Sequence, residues 1–323
     1  MLPNRGVARM PITVLMPAYN AEQFLAEAIE SVLAQTLPDF ELIVLNDGSR
    51  DRTREIAEGY ALRDSRVRVE SQANMGIART LNRGLELASN DWVARMDADD
   101  VMMPNRLERQ LAFVSEHPGL AVASSWVKHI DGQGRVVAKD SNSHLLTHEA
   151  VEKWHKAGHL VSFSHPAAIL RKGAVQAVGG YRPQFKVTED TELWIRLLDA
   201  GYEILVQPEY LLRYRIHAGS VSVARVRFQL RELRWLKDCR ARRGRGEQEL
   251  TWEEFISLRR TLPWYVQVNA ARKDTAKVLY KAAVFQYALR NYFLLVPTVL
   301  AAMALQPTYT IGQIRSKLLL RRS

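Results

Sequence analysis

The stretch 12-ITVLMPAYNAEQFLAEAIESVL-33 changes its periodicity in the middle. Ile12-Thr13-Val14-Leu15-Met16 is a short, apolar, β-rich run, and Pro17 ends it. Beyond it, Phe24, Leu25, Ala28, Ile29, Val32 and Leu33 recur at helical spacing. The same alternation then repeats. Glu41-Leu42-Ile43-Val44-Leu45 reads as a second buried strand. Asp51 opens a second helix, with Asp51 and Glu55 near its positive end. Val67, Val69 and Ser71 alternate as a third strand. Ile77, Leu81, Leu85 and Ala88 share one helical face, and Trp92 to Met96 is a fourth strand. Such a series predicts an α/β chain: an open, mostly parallel, Rossmann-like sheet with helices on both faces.

Ligands of such sheets bind beyond the carboxyl ends of the strands. Polar clusters fall at these ends: Ala18-Tyr19-Asn20, Asn46-Asp47-Gly48-Ser49 and Asp97-Ala98-Asp99-Asp100. Any one of them reads as an ordinary polar loop. Together, at successive strand ends, they converge on one crevice. The last is the most charged. In 92-WVARMDADDVMMP-104, Asp97, Asp99 and Asp100 crowd a strand end, with Pro104 able to open a helix after them. Carboxylates packed so closely repel one another unless something positive lies between them.

The bulk numbers set bounds. The chain has 323 residues, 47% of them hydrophobic and 25% charged, which is ordinary globular composition and long enough for one large domain with an extension, or two domains. A single cysteine, Cys239, excludes an intrachain disulfide framework and points to a reducing compartment. The start, MLPNRGVARMPI, lacks the apolar core of a signal peptide. Nothing reaches the ~18 uninterrupted apolar residues of a spanning helix. The net charge of +10 is uneven, because Arg225 to Ser323 carries 20 Lys and Arg against 7 Asp and Glu. A basic tail on a mildly acidic front expects an anionic partner, a lipid surface or nucleic acid.

Between about 120 and 222 the pattern is more mixed. Leu120 to Lys128 is strand-like, 147 to 158 is helical, and Glu189 to Ala200 is a helix that stops at Gly201. Two strands follow, Glu203 to Val206 and Tyr210 to Arg215. From about 224 the chain reads as helical and basic, with Trp235, Trp252, Trp264 and Tyr265 scattered through it.

Taken in order, VLMPAYNAEQFLAEAIESVLAQT, FELIVLNDGSRDRT, NMGIARTLNRGLELASNDWVARMDADD, SHPAAILRKGAVQAVGGYRPQF, TEDTELWIRL and YRIHAGSVS resemble the family 2 glycosyltransferases of the GT-A fold. The resemblance covers about residues 11 to 222 and is to the inverting enzymes of the bacterial cell-surface polysaccharide type. It implies a GT-A domain over 1–223, with a nucleotide-sugar half at about 11–104 and an acceptor half at about 105–223. The basic helical region 224–323 matches only as the variable tail of such enzymes.

A nucleotide-sugar donor loses its diphosphate as an anion, and a divalent metal, Mn²⁺ or Mg²⁺, can neutralise the developing charge. Hard cations of this kind take oxygen ligands. The family's DxD motif is Asp97-Ala98-Asp99 here. By resemblance Asp99 is the direct metal ligand, Asp97 faces the ribose or a metal-bound water, and Asp100 is structural. Asp47 stands where the family hydrogen-bonds the nucleobase, Ala18 and Tyr19 flank that base beside Asn20, and Pro17 fixes the turn. Asp190 matches the base that takes the acceptor's proton. Thr188-Glu189-Asp190 also has helix-start chemistry, Thr188 as cap and the acids in the first turn. His217 resembles a histidine near the metal or diphosphate; Asn74 and Gly76 resemble donor-side loop residues. His165-Pro166 and Gly179-Gly180-Tyr181 shape the acceptor side. The donor is expected to be UDP-linked, and the acceptor a glycan or lipid-linked sugar.

Two other readings compete. Asp97 to Val101 also fits the DxDx(T/V) nucleophile motif of haloacid-dehalogenase-like phosphatases, but that motif belongs on a first strand. A nucleic-acid-binding sensor would explain the basic tail, but no helix-turn-helix or RNP-like signature accompanies it. Within the tail, 292-YFLLVPTVLAAMAL-305 is too short to span a bilayer. It reads either as a core helix or as an interfacial segment. In the second case Arg290, Arg315, Lys317, Arg321 and Arg322 lie on anionic lipid, and the protein is peripheral on the cytoplasmic face of a bacterial inner membrane.

Overall fold

The computed structural model describes residues 10–141, 143–217, 225–288 and 291–319. The chain divides into two compact units, Met1–Ile130 with Ala138–Arg215, and Asp131–Val137 with Ile216–Ser323.

The first unit is built around β1 (Ile12–Ala18), whose seven residues are all buried. It pairs in parallel with β2 (Phe40–Asp47) on one side and β4 (Trp92–Arg95) on the other. β3 (Val67–Gln72) extends the sheet in parallel from β2. The intervening helices are α1 (Leu25–Leu33), α2 (Thr53–Ala61) and α3 (Ile77–Leu87). Strands covered on both faces need continuous apolar runs rather than alternation, which is what β1 and β2 carry. Close packing of α3 on β1 depends on Gly84, where a Cβ would stand 2.3 Å from Leu15 Cδ1.

Past β4 the sheet becomes mixed. The order is β3-β2-β1-β4-β8-β6-β9-β5, and β7 (Val136–Asp140) pairs with β6 off that path. β8 (Ile169–Arg171) lies antiparallel between β4 and β6 (Leu120–Ile130). β9 (Glu203–Arg215) is parallel to β6, and the short β5 (Val101–Met102) is antiparallel to β9. The two strands expected at 203–206 and 210–215 are therefore one. Its register on β6 shifts where Ser125 faces Gln207 and Trp126 faces Tyr210, and Pro208, with no N–H to give the ladder, falls inside that irregularity. The described residues of this unit also form the α-helices α4 (Arg106–Glu116), α5 (His148–Lys156), α6 (Lys172–Ala177) and α7 (Glu189–Asp199).

The helices of the second unit are α8 (Val226–Gly244), α9 (Trp252–Arg260), α10 (Trp264–Ala288), α11 (Tyr292–Leu305) and α12 (Pro307–Leu319). A full capping box, Thr251 with Glu254, starts α9. Trp235 is buried, donates its indole N–H to Leu250 O at 2.8 Å and meets Trp252 edge-on. Trp264, by contrast, is 76% exposed. The apolar stretch 292–305 is helical but does not face a core: Phe293 is 88% exposed, Val296 and Leu300 are also exposed, and Ala302 alone is buried. No described helix is long and apolar enough to cross a membrane. Residues 218–222 of YRIHAGSVS, the expected boundary at 223/224, Arg290, Arg321, Arg322 and the side chains of Arg315 and Lys317 lie outside the described residues.

Candidate active site

Side chains stitch together the loops that follow β1, β2 and β3. Pro17 and Ala18 are buried at the end of β1, and Tyr19 beyond them is half exposed. Asn20 takes a left-handed backbone, φ +48, a conformation asparagine tolerates better than most residues. Its N–H donates to Ser49 Oγ at 3.0 Å, and its Oδ1 accepts from Arg50 N at 2.9 Å. Asp47 is buried. Its Oδ1 accepts from Gln72 Nε2 and from Met75 N, both at 2.8 Å, while Oδ2 accepts from Gly76 N at 3.0 Å. Asn74 Nδ2 donates to Asp47 O at 3.0 Å. Asp47 thus holds the loop that opens α3. Gly48 makes this possible: its φ is +72, and a Cβ there would stand 2.7 Å from Asn74 N.

The carboxylates after β4 form one group. Ligand oxygens of Asp97, Asp99 and Asp100 lie within 4.8 Å of one another. Asp97 and Asp99 are half-buried; Asp100 is fully buried. Asp100 Oδ1 accepts from Arg215 N at 2.7 Å, whereas its Oδ2 is buried with no hydrogen-bond partner. Burial, with Asp97 and Asp99 beside it, raises the Asp100 carboxyl well above the ordinary range. A buried carboxylate oxygen without a donor is costly unless a cation or a proton meets it. An all-oxygen set of three acids fits a hard divalent cation, and Asp97, Asp99 and Asp100 are the residues that would hold it.

Protein cations ring this group, and the sequence reading did not single them out. Arg95 is buried and ion-pairs with Asp97. Burial pulls its guanidinium down, but Asp97 and Asp100 more than offset that, and it stays firmly charged. Arg106 is also fully buried, donating through Nη2 to Arg95 O at 2.9 Å and Ala168 O at 3.2 Å. Burial lowers its pKa to about 9. Arg215 donates through Nε to Asp99 O at 2.7 Å and through Nη2 to Glu27 at 2.6 Å. Two signals were present in sequence: Arg95 interrupts an apolar strand, and Arg106 begins a helix, where the macrodipole disfavours a cation. Arg215 gave none, since only the pairing of β9 with β5 brings it beside Asp99.

Asp190 sits half-buried in the first turn of α7. Thr188 occupies the cap position but makes no side-chain capping bond; Asp190 Oδ1 accepts from Thr191 N at 2.6 Å instead. Burial raises the Asp190 carboxyl, opposed by that bond and by the positive field of Arg95. Arg95 also faces His165 and Tyr181, which share a 2.8 Å hydrogen bond. Burial and Arg95 together push His165 far down, so its imidazole is neutral, while burial pushes the Tyr181 hydroxyl up. The Gly-Gly-Tyr loop is fixed by Asn82, whose Nδ2 donates to Tyr181 O and whose Oδ1 accepts from Tyr181 N, both at 2.8 Å. Arg196 of α7 donates to Gly180 O at 2.6 Å, tying the Asp190 helix to the same loop. His217, half-buried, belongs to the second unit, whereas the carboxylate group is built from the first alone.

Known proteins are similar to this chain in sequence and in fold. The chain is 29% identical to the amylovoran biosynthesis glycosyltransferase AmsE of Erwinia amylovora over 216 residues, covering 66% of this chain and 79% of AmsE. Its fold matches S. aureus TarS 1-349, solved with UDP-GlcNAc, at a TM-score of 0.59 and 17% identity, over 94% of this chain and 92% of that one. It also matches the mannosyltransferase PcManGT of Pyrobaculum calidifontis, solved with GDP-Man and Mn²⁺, at a TM-score of 0.57 and 17% identity, over 97% and 80% of the two chains. The family model for Glycosyl transferase family 2 matches residues 13–179, just over half of the sequence, and the chain belongs to that family.

Proposed function

We propose that this glycosyltransferase moves a sugar from a UDP-linked donor, with inversion, to a glycan or lipid-linked acceptor in bacterial surface-polysaccharide synthesis. The observation that carries the reading is the grouping of Asp97, Asp99 and the half-satisfied Asp100 at the sheet's carboxyl edge, joined electrostatically to Asp190 through Arg95. Asp47, Ala18, Tyr19 and Asn20 line the nucleotide side on Pro17's turn, so residues 11–104 serve the donor and 105–223 the acceptor. Bound Mn²⁺ or Mg²⁺, held through Asp99 with Asp97 and Asp100 beside it, would supply charge stabilisation to the departing diphosphate. Asp190 takes the acceptor hydroxyl's proton as that oxygen bonds to the anomeric carbon and the bond to the diphosphate breaks. Its raised carboxyl strengthens it as a base. AmsE's part in amylovoran biosynthesis supports the polysaccharide assignment, and TarS with UDP-GlcNAc supports the donor.

The phosphatase alternative fares worse, because its nucleophile belongs after a first strand and Asp97 follows β4. The exposed apolar face of α11 and the basic tail support peripheral attachment to the cytoplasmic face of an inner membrane. A panel of nucleotide sugars assayed with Mn²⁺ tests the whole reading. Turnover of a UDP-sugar that Asp99→Ala lowers by about 10² is the expected result; turnover untouched by Asp99→Ala and by EDTA overturns it.

A further inference from the structure

Away from the sheet edge, cations also gather around a hollow within the second unit. A cavity of about 290 Å³ is lined by Arg231 and Arg234 of α8, Arg259 and Arg260 of α9 and Asp274 of α10, over Phe255. Asp274 matches one of these charges, accepting from Arg234 Nη1 at 2.7 Å. Arg231, Arg259 and Arg260 have no carboxylate partner among the described residues. Arg259 lies over the Phe255 ring, 6.0 Å from its centroid. Arg259 and Arg260 suit the negative carboxyl end of α9 on their own account. Arg234 faces them through its pair with Asp274, whereas Arg231, in the body of α8, has no such reason.

Like charges gathered around one hollow repel, and an anion inside it relieves the repulsion. Guanidinium groups match phosphate oxygens bidentately. The cavity sits at the small end of ligand pockets, with room for a headgroup. Its surroundings narrow the source of that phosphate. Leu258, Trp264, Tyr265 and Val268, on the same two helices, are all exposed, and Trp264 and Tyr265 are the residue types that settle at a membrane interface. Gln267, between them, lines the cavity and fixes the α9–α10 turn by donating to Arg260 O at 3.0 Å and Leu262 O at 2.8 Å. We propose that this cavity binds the phosphate group of a membrane lipid, with the flanking aromatics seated in the interface. The proposal rests on the peripheral-membrane reading above and gives it a specific site.

Co-sedimentation of the full chain with phosphatidylcholine vesicles, with and without phosphatidylglycerol, tests both separately. The triple variant Arg231→Gln/Arg259→Gln/Arg260→Gln should lose about 10² in partitioning, at about fivefold per arginine. The control Arg227→Gln/Lys237→Gln/Lys273→Gln removes as many exposed charges outside the cavity and should lose at least about tenfold less. Should the cavity triple fail to fold, Arg231→Gln alone should show the fivefold loss. Equal losses in both triples overturn the site but leave membrane attachment standing. Wild-type protein that ignores vesicles while inorganic phosphate raises its melting temperature assigns the cavity to a soluble anion and overturns the lipid source. Binding to duplex DNA as tight as to vesicles overturns it too, and no binding to anything removes the membrane reading with it.

Discussion

Arg95→Met asks whether the protein's own cations hold the acidic group together. Arg95 is buried, pairs with Asp97, and its field reaches Asp100, His165, Tyr181 and Asp190. Methionine fills much of the volume but leaves Asp97 beside Asp99 and Asp100 with that counter-charge gone. Breaking a buried pair by removing one partner costs about 3–5 kcal/mol. For a unit of this size each kcal/mol moves the melting temperature by about 2–4 °C, so a drop of about 6–20 °C is expected in EDTA. Mn²⁺ should recover part of it, because a divalent cation among the three carboxylates replaces the lost charge. Arg95→Met/Asp97→Leu should melt above Arg95→Met alone, since it removes the stranded carboxylate as well. Thermal melts followed by circular dichroism read all of these. If Arg95→Met melts within ~1 °C of wild type in EDTA, or the double variant melts lower than the single, the carboxylates are not held by Arg95 and the reasoning fails.

Asp190→Asn keeps size and loses basicity; transfer should fall by roughly 10² to 10⁴ with donor affinity retained, and a product that keeps the donor's anomeric configuration would rule out the single-base mechanism. Because burial raises the folded Asp190 carboxyl, kcat/KM should fall as pH drops through a value above the ordinary aspartate range of about 3.9, and a rate flat down to that range contradicts the assignment. Gly48→Ala forces a methyl to 2.7 Å from Asn74 N at positive φ, so it should destabilise by about 1–3 kcal/mol and weaken donor binding through Asp47, measured by urea denaturation and by titration with UDP. Deleting residues 291–323 removes α11 and α12 and should weaken co-sedimentation with anionic vesicles, the cavity of α8–α10 remaining, while donor hydrolysis continues; unchanged sedimentation means the tail does not attach the protein.

The alternating front of the chain was legible because each element announces itself locally. Ile12 to Met16, ended by Pro17, reads as a buried strand, and the spacing from Phe24 to Leu33 reads as a helix with one apolar face. Once parallel order is given, the strand ends at Ala18, Asp47 and Asp97 must share one edge, so the convergence of these polar clusters was legible in sequence. The apolar run 292–305 was visible too, but not its surroundings: its composition suits a core or an interface equally, and only the packing leaves Phe293 in the open. The break at Pro208 was misread as a gap between strands, since a missing N–H looks the same in sequence whether a strand ends or bulges. What sequence could not show was which groups the buried cations meet. Arg215 lies 116 positions from Asp99, and His165 lies 16 from the tyrosine it bonds. Periodicity reports what a residue does to its own element, whereas the partners of a buried charge are set by which distant elements the sheet order brings beside it. Burial then sets how strongly each charge is felt, and that is a property of the folded chain alone.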